Sequence, residues 1–341
     1  MIKIKVSTNF SDLPIIRQTP GSKGVWKDCV FFVNQDVDGC DWWFVYEDLP
    51  KPEAADCPPD HLVFITGEPP TTRMYDPQFL AQFSAVITSH TDLAHHNVIL
   101  MQQALPWHIG TRRDSGGDIK NYMNIDDFFQ IDLDNIKKSK LVSVISSDKK
   151  FTRGHRQRLK FIDRLLNRIG DQVDVYGRGY REVEDKWQAI APYKYHLALE
   201  NSAVPHYFTE KLSDAYLGWS YPIYFGCPNV ADYFPPLSLS TIDITDMDRS
   251  IADVECLINS NTFERNISHI EQARNLVLFR YNMFSLMADY SREHANGPRE
   301  NKYLYPEKHN RDTYSRLKRI YQKTKHYGFG KIFRLFQEKY F

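Results

Sequence analysis

The stretch that decides the fold reads YKYHLALENSAVPHYFTEKLSDAYLGWSYPIYFGCPNVADYFPP and spans residues 193–236 of the 341-residue chain. Its first apolar run ends at Leu199, a helical pattern follows over 208–217, and a second apolar run occupies 221–225. Short apolar runs rich in aromatic and branched side chains predict strands, and a helix between two such strands is typical of a parallel sheet. The stretch therefore predicts a strand–helix–strand unit of an α/β domain.

The residues before this stretch extend the same pattern. Apolar runs over 141–146 and 173–176 predict two further strands, and apolar residues at helical spacing over 159–169 predict a helix between them. Ligands of such sheets bind at the carboxyl ends of the strands. We therefore expect the functional loops after the last residues of the four strands, Ile145, Tyr176, Leu199 and Phe225.

The first part of the chain contains a second set of short apolar runs. They cover 2–6, 30–33, 42–46, 62–65 and 85–88, and their length and composition predict strands. A chain of 341 residues also exceeds the usual size of one domain, about 100 to 200 residues. We expect an N-terminal α/β domain at 1–138, a C-terminal α/β domain at 139–305 and a basic amphipathic tail at 306–341.

The charges of the chain are balanced overall but unevenly distributed. Its 43 Lys and Arg residues equal its 43 Asp and Glu residues, which argues against nucleic acid as a partner. From residue 311 onward, however, there are nine basic residues and only two acidic ones, with apolar side chains between them. This composition suits a helix at an anionic membrane surface, and it suits equally a helix that packs on the protein.

Cysteine content and hydropathy indicate a cytoplasmic protein. The five cysteines show no C-x-x-C spacing, which disfavours a disulfide framework and a zinc cluster. The opening residues, MIKIKVSTNFSDLP, lack the apolar segment of a signal peptide, and no run of about 18 apolar residues occurs. We expect a protein in the cytoplasm, free or held peripherally at the inner face of the membrane through 311–341.

The predicted helix after Leu199 begins with an unusual charge. Thr209 is a suitable N-cap, which puts Glu210 and Lys211 in the first turn. A cation at a helix N-terminus is unfavourable unless an anion lies nearby. A bound diphosphate would satisfy the lysine and the free backbone N–H groups together, whereas the alternative is a lysine that points into solvent.

Residues 193–236 resemble the C-terminal signature of the α-1,3/4-fucosyltransferase family, glycosyltransferase family 10, in its bacterial type. The residues that carry the resemblance are Tyr193-Lys194, Glu200-Asn201-Ser202, Tyr207, Thr209-Glu210-Lys211, Gly226, Asn229 and Pro235-Pro236. Leu199 replaces the phenylalanine that is usual in the family, and the residues after Pro236 follow the family pattern only loosely. A match of so many residue types at fixed spacing is far more specific than a single short motif.

The resemblance implies the GT-B fold, in which two Rossmann-like α/β domains face each other across a cleft. It assigns the acceptor to the N-terminal domain and a GDP-sugar donor to the C-terminal domain. The residues that it assigns to donor binding are Arg158, Glu200, Asn201, Tyr207, Glu210 and Lys211. Arg158 and Lys211 would bind the diphosphate, since a guanidinium can bind two phosphate oxygens at once.

Arg178 is a third candidate for binding the diphosphate, but the sequence pattern that supports it is weaker. The basic residues near Arg158 have a simpler interpretation. Arg178 lies in a Gly-Arg-Gly turn after a predicted strand, which resembles a phosphate-binding loop but is a common loop sequence. The other basic residues of the helix around Arg158 fit its solvated face, namely Arg153, Arg156, Lys160 and Arg164.

A carboxylate in the N-terminal domain completes the expected site. The segment 64–68, FITGE, ends a predicted strand and resembles the short family segment that carries the proposed catalytic carboxylate. The resemblance implies that Glu68 is the general base, and Asp76 follows roughly where the family has its next acidic residue. Judged from its own segment alone, Glu68 would be a solvated turn residue.

No metal site is expected. Three D-x-D triplets occur, at 36–38, 132–134 and 246–248, but acidic doublets are frequent and two protein cations already offer to neutralise a diphosphate. His95-His96 lacks a third ligand at a usual spacing. The only expected small-molecule requirement is therefore the donor substrate itself.

The family resemblance implies an inverting glycosyltransferase that moves L-fucose from GDP-fucose to a glycan hydroxyl, such as the 3-hydroxyl of an N-acetylglucosamine or a related sugar. The acceptor would be an oligosaccharide or a lipid-linked glycan. Transfer of another GDP-linked deoxy sugar such as colitose is an alternative, because it would use the same nucleotide pocket. A glycan-binding protein without catalytic activity is a second alternative.

Overall fold

The computed structural model describes residues 1–10, 13–148, 153–293 and 297–307. Their strands are β1 (Ile2–Thr8), β2 (Val25–Trp26), β3 (Cys29–Val33), β4 (Trp42–Tyr46), β5 (Glu53–Cys57), β6 (Leu62–Ile65), β7 (Ala85–Thr88), β8 (Val98–Leu100), β9 (Thr111–Arg113), β10 (Ile119–Tyr122), β11 (Lys140–Ile145), β12 (Val173–Tyr176), β13 (Tyr193–Leu199), β14 (Tyr221–Phe225), β15 (Ser240–Thr241) and β16 (Glu300–Leu304). Their α-helices are α1 (Pro77–Leu80), α2 (Ile125–Gln130), α3 (Arg153–Ile169), α4 (Lys186–Ile190), α5 (Glu210–Leu217), α6 (Met247–Ile258), α7 (Thr262–Arg265), α8 (Ile267–Phe279) and α9 (Met283–Arg292).

The first domain is built on a seven-stranded sheet in the order β2-β3-β1-β4-β6-β7-β8. Every pair of neighbours in it is parallel except the β2/β3 pair. All five residues of the central strand β4 are at most 1% exposed. A strand that is apolar on both faces is typical of a parallel sheet whose two faces are both covered.

The second domain contains a five-stranded sheet, entirely parallel, in the order β12-β11-β13-β14-β15. Helix α3 connects β11 to β12, α4 precedes β13, and α5 connects β13 to β14. Because all these strands run in one direction, the loops after β11, β12 and β13 meet at one edge of the sheet.

The end of the described chain returns to the first domain. The ring of Phe284 in α9 packs edge-on against Phe31 of β3 with 4.9 Å between ring centroids. Strand β16 pairs antiparallel with β5, from Glu300 opposite Cys57 to Leu304 opposite Glu53. The last residues of the predicted 139–305 segment therefore pack on the first domain, and the boundaries at 138 and 305 stay predictions.

The expected α/β class is confirmed: the chain forms two sheets whose strands are mostly parallel, with helices connecting them. The GT-B arrangement of the two domains stays a prediction. The predicted strands of both domains form, with ends that shift by up to three residues, and the predicted helix over 208–217 begins at Glu210. Among the residues with described coordinates, no helix is both long and apolar enough to cross a membrane. The tail from residue 311 lies outside the described residues.

Candidate active site

The loops at the carboxyl edge of the second sheet approach one another closely, and two glycines allow it. A Cβ atom on Gly154, at the start of α3, would lie 1.9 Å from the carbonyl oxygen of Asn201. Gly177 after β12 has a φ of 109°, and a Cβ atom there would lie 2.3 Å from the carbonyl oxygen of Ser146. No other residue fits at either position without a backbone shift. The loops after β11, β12 and β13 are therefore held around the N-terminus of α3.

The N-terminus of α5 has the predicted cap. Thr209 is the N-cap, and its side chain accepts a hydrogen bond from the backbone of Lys211 at 3.3 Å. Glu200, at the end of β13, accepts hydrogen bonds of 2.8 Å from both the backbone N–H and the hydroxyl of Thr209. Glu200 is 1% exposed, and burial raises the pKa of its carboxyl group, with Lys211 opposing that rise. Glu200 thus fixes the first residue of α5 by binding its N-cap, Thr209.

Arg158 and Asn201 meet beside this helix. Arg158 is 3% exposed and donates through Nη1 to Asn201 Oδ1, whereas its Nε has no hydrogen-bond partner among the residues described. Burial lowers the pKa of the guanidinium, while Glu200 and Glu210 oppose that change. The other basic residues of α3 that were expected on its solvated face are exposed, namely Arg153, Arg156, Lys160 and Arg164. A buried guanidinium with an unsatisfied N–H can bind an anionic ligand by donating a hydrogen bond to it.

These residues line a single cavity of about 280 Å³. Four of the predicted donor-binding residues line it, namely Arg158, Asn201, Glu210 and Lys211. The other lining residues with polar side chains are His108, Ser146, Ser147, His155, Lys186, His196 and Asp214. Most of the lining comes from the second domain, and His108 reaches it from the first.

Three predicted donor-binding residues do not line this cavity. The Arg178 side chain is 76% exposed and approaches Asp148 at 3.9 Å, Glu200 lies beneath the start of α5, and Tyr207 is 7% exposed. The Tyr207 hydroxyl donates to the carbonyl oxygen of Gly67 at 3.4 Å, which connects the second domain to the first. Of these three residues, only Glu200 positions the start of α5, through its bonds to Thr209.

The charges around α5 are paired before any ligand binds. Lys211 Nζ lies 3.1 Å from Glu210 Oε1 and 3.5 Å from Glu200 Oε2. Lys186 Nζ lies 2.9 Å from Asp214 Oδ2 and 3.6 Å from Glu210 Oε1. Burial alone would raise the pKa of Glu210, but Lys211 and Lys186 hold it well below the ordinary value. Glu210 is therefore ionised, and it neutralises part of the Lys211 charge.

Two histidines of the cavity are neutral. Burial lowers the pKa of His196 to about 3, and its Nδ1 is 2.8 Å from the Ser143 hydroxyl. Burial and the neighbouring Lys186 lower the pKa of His108 to about 4. Both rings therefore act as neutral hydrogen-bonding groups near pH 7.

The first domain presents Glu68 on a turn that a charged network holds in place. Glu47 accepts hydrogen bonds from the backbone of Gly67 at 2.5 Å and from the Tyr75 hydroxyl at 2.6 Å, and it pairs with Arg73. The Glu68 side chain itself is exposed and forms no hydrogen bond with the residues described. Partial desolvation and the Glu47 charge raise the pKa of Glu68, while Lys211 lowers it. The carboxylate of Glu68 is therefore close enough to Lys211 for the charge of that lysine to affect its pKa.

Asp76 has a structural task. Its side chain caps α1 by accepting from the backbone of Gln78 at 2.8 Å, and its own N–H donates to Glu307 Oε1 at 2.5 Å. A carboxylate engaged as a helix cap is a poorer base than an unbonded one. Glu68 is therefore the better candidate of the two.

The D-x-D triplets lie apart from this site. Asp36 and Asp38 line a second cavity of about 460 Å³ in the first domain, and Asp246 caps α6. Asp132 caps the short turn Leu133–Asn135. Across the parts of the chain that are described, no three His, Cys, Asp or Glu side chains are grouped as metal ligands.

Sequence reasoning missed His108, Lys186 and Asp214. Lys186 follows the helix cap Asp185 and so repeats the signal that identified Lys211, a cation in the first turn of a helix. Asp214 occupies an apolar position of α5, where a buried carboxylate needs a partner. His108 lies far from both along the chain, and nothing in its own segment indicates its position.

Comparisons with known proteins agree with the motif. Residues 135–261 match the profile described as glycosyltransferase family 10 (fucosyltransferase) C-term, so the resemblance is confirmed for this region. An α-(1,4)-fucosyltransferase of Arabidopsis thaliana is 49% identical over 86 residues, which are 22% of this chain and 21% of that protein. The α-(1,3)-fucosyltransferase FucT of Helicobacter pylori is 38% identical over 80 residues, 23% of this chain and 16% of that one. The matched segments thus span only 21% and 16% of the length of these relatives.

A solved structure gives a longer alignment at lower identity. The crystal structure of an α1,3-fucosyltransferase with GDP-fucose aligns with 81% of this chain and 90% of its own, at 18% identity and a TM-score of 0.46. The crystal structure of an α1,3-fucosyltransferase with GDP aligns with 83% of this chain and 92% of its own, at 19% identity and a TM-score of 0.47.

Proposed function

Because residues 135–261 match the profile of glycosyltransferase family 10, we propose that the chain is a glycosyltransferase that moves L-fucose from GDP-fucose to a hydroxyl of a glycan. The observation that carries this proposal is the convergence of Arg158 and Lys211, from two different helices, on one cavity of the second domain. The curated relatives are named as fucosyltransferases, which supports fucose as the transferred sugar.

The donor diphosphate would bind between the two cations. Arg158 offers an Nε–H that no described residue accepts, and Lys211 lies in the first turn of α5, where the helix dipole also favours an anion. Asn201 orients the guanidinium through the bond to its Nη1. The ionised Glu210 next to them is an acceptor for sugar hydroxyls.

The reaction would proceed with inversion at the anomeric carbon. The acceptor oxygen forms a bond to that carbon as the bond from the carbon to the β-phosphate oxygen breaks, and GDP leaves with the electron pair. Glu68 takes the proton of the acceptor hydroxyl, and Arg158 and Lys211 stabilise the negative charge that develops on the diphosphate. A raised pKa suits Glu68 to this role, because a base works best when its pKa lies nearer the working pH.

The acceptor side is proposed in outline. Glu68 and the turn that carries it belong to the first domain, so the acceptor glycan would bind there, with the 3-hydroxyl of an N-acetylglucosamine or related sugar directed at Glu68. Colitose or another GDP-linked deoxy sugar would use the same diphosphate and Glu210 contacts. A glycan-binding protein without turnover is the remaining alternative.

Thermal-shift measurements test the donor class first. GDP and GDP-fucose should raise the melting temperature, and UDP, CMP and their sugars should not, because only a ligand that binds the folded state stabilises it. Incubation of GDP-fucose and GDP-colitose with N-acetyllactosamine should then release GDP from the fucose donor. Binding without GDP release from any donor would favour a glycan-binding protein, and no stabilisation by GDP would reject the proposal.

The place of action is a separate proposal. We expect a cytoplasmic enzyme that residues 311–341 hold at the inner face of the membrane, close to lipid-linked acceptors. Co-sedimentation with anionic liposomes should be strong for the full chain and weak for a chain that ends at Asn310. Equal sedimentation of the two chains would reject the membrane role.

A further inference from the structure

His108 is the lining residue of the donor cavity that comes from the first domain. It belongs to a short segment, residues 107–110, that crosses to the second domain and is called here the strap. Trp107 and Ile109 of the strap are 1% and 0% exposed and pack into the core, whereas the ring of His108 between them lines the cavity. The alternation leaves His108 as the strap's contact with whatever occupies the cavity.

The N–H groups of the strap are bound by carboxylates of the second domain. Asp214 Oδ1 accepts from the backbone of His108 at 3.0 Å and of Ile109 at 3.1 Å. Asp185 Oδ1 accepts from the backbone of Gly110 at 2.8 Å. Asp214 is 0% exposed and is itself paired with Lys186. The second domain therefore fixes the position of His108 through its main chain.

The carbonyl groups of the strap are bound from the other side. The guanidinium of Arg17, 1% exposed, donates to the carbonyl oxygens of Trp107 at 2.7 Å, Ile109 at 2.9 Å and Gly110 at 3.4 Å. A backbone segment with bonded N–H and C=O groups on both sides is held in one conformation. The position of the His108 ring is therefore set in advance of any ligand.

The ring of His108 is not used within the protein. Its main-chain N–H is bonded to Asp214, but no described residue forms a hydrogen bond with either ring nitrogen. The charged groups around it are Lys186 on α4 and Glu210, Lys211 and Asp214 on α5. A neutral imidazole offers one donor and one acceptor, and a carboxylate beside it offers further acceptors. This pair of groups matches the hydroxyls of a sugar ring.

We propose that His108 is a donor-binding residue whose imidazole hydrogen-bonds a hydroxyl of a sugar ring that is joined to the bound diphosphate. The inference rests on the proposed function, since it needs a nucleotide-sugar in this cavity. Arg158 and Lys211 take the diphosphate, and Glu210 lies next to both Lys211 and His108, so the ring that follows the diphosphate reaches His108. That ring is either the ribose or the transferred sugar.

The test compares dissociation constants of GDP and GDP-fucose for the parent chain, His108→Ala and His95→Ala, by calorimetry. His95 is a half-buried histidine of the first domain that does not line the cavity and whose ring bonds to main-chain oxygens, and its replacement should leave both constants unchanged. Loss of one hydrogen bond in His108→Ala should weaken binding by roughly three- to tenfold. An equal loss for GDP and GDP-fucose assigns the contact to the ribose, and a loss for GDP-fucose alone assigns it to the transferred sugar.

Conservative variants separate binding from packing. An amide can replace one ring nitrogen, so His108→Asn or His108→Gln should recover part of the affinity that His108→Ala loses, at an unchanged melting temperature of the ligand-free protein. A folded His108→Ala that binds both ligands as the parent does would overturn the inference and leave the proposed function intact. A parent chain that binds neither ligand would reject both.

Discussion

The charged side chains of the two proposed halves of the active site, around α5 in the second domain and at Glu68 in the first, are arranged in opposite ways. On the proposed donor side, two lysines and three carboxylates are paired within a few ångströms: Lys186 and Lys211 with Glu200, Glu210 and Asp214. Arg158 is bonded to Asn201 beside them. On the acceptor side, Glu68 is exposed and unbonded on a turn that other residues hold. A diphosphate adds negative charge and needs cations whose positions are set in advance, whereas a base must keep a free lone pair for the incoming proton.

The two sides also differ in which side chains are held in place by hydrogen bonds and ion pairs. The turn before Glu68 is held by Glu47, which binds the backbone of Gly67, and by Arg73, which pairs with both Glu47 and Glu307. On the donor side the rigid groups are the ligand-facing ones themselves. Substitutions of Glu68 should therefore affect turnover alone, and substitutions of the donor-side charges should affect binding.

The largest effect is expected at Glu68. Glu68→Gln keeps the size of the side chain and removes its basicity, so turnover should fall by about 10² to 10⁴. GDP affinity should stay near the parent value, because the residue lies in the other domain. Steady-state rates and GDP calorimetry check the two parts.

Asp76→Asn is the matched control for this prediction. Asparagine caps a helix about as well as aspartate, so the fold and the rate should both be preserved. A Glu68→Gln rate near that of the parent would show that another group accepts the proton.

Donor-side cations should give the next largest effect. Arg158→Ala and Lys211→Ala each remove a charged hydrogen-bonding group, so GDP affinity should fall roughly ten- to hundredfold. Arg164→Ala on the same helix as Arg158 is the control, since its side chain is 46% exposed and pairs with Asp248. Unchanged GDP affinity in both cavity variants would reject their assignment, and a comparable loss in Arg178→Ala would extend the site to that turn.

A smaller effect is expected from Lys186, and it should depend on pH. Lys186 helps to hold the pKa of Glu210 below its ordinary value, so Lys186→Met should raise that pKa. Glu210 would then take up its proton at a higher pH than in the parent. Because protonation weakens the proposed hydrogen bonds from sugar hydroxyls to this carboxylate, the loss of GDP-fucose affinity on acidification should begin at a higher pH. GDP-fucose titrations across the acidic range measure this shift.

A double variant shows whether Lys186 acts through Glu210. In a Glu210→Gln background, Lys186→Met should cause no further shift, because the titrating group is gone. A shift that persists there would mean that Lys186 acts through Asp214 and the strap instead.

No change at all is expected from chelation. Arg158 and Lys211 would already carry the charges that neutralise the diphosphate, so turnover in EDTA should equal turnover without it. Activity that EDTA removes and manganese restores would contradict this expectation and direct attention to the D-x-D triplets.

Most of the donor side could be predicted from the sequence because its residues are close along the chain. The strand that ends at Leu199, the cap at Thr209 and the first turn with Glu210 and Lys211 lie within a dozen residues, where local propensities and a family signature are both informative. Arg158 was assigned from a separate family feature, an arginine on the first helix of the second domain. Glu200 was assigned to donor binding, and its burial under Thr209 was not foreseen.

What only the tertiary structure decided are the contacts between distant segments. His108 reaches the cavity because Asp214, 106 residues further along, accepts from its backbone N–H. Arg17, from the other end of the chain, donates to the carbonyl oxygens of the neighbouring Trp107 and Ile109. Such contacts depend on how two domains pack, and no local preference of residues 107–110 encodes them. The sequence by itself determined the two parallel sheets and the donor motif, since apolar periodicity and helix caps are local properties. The position of Glu68 relative to Lys211, and of the strap over the cavity, follows from long-range packing of buried charges that only the folded chain brings together.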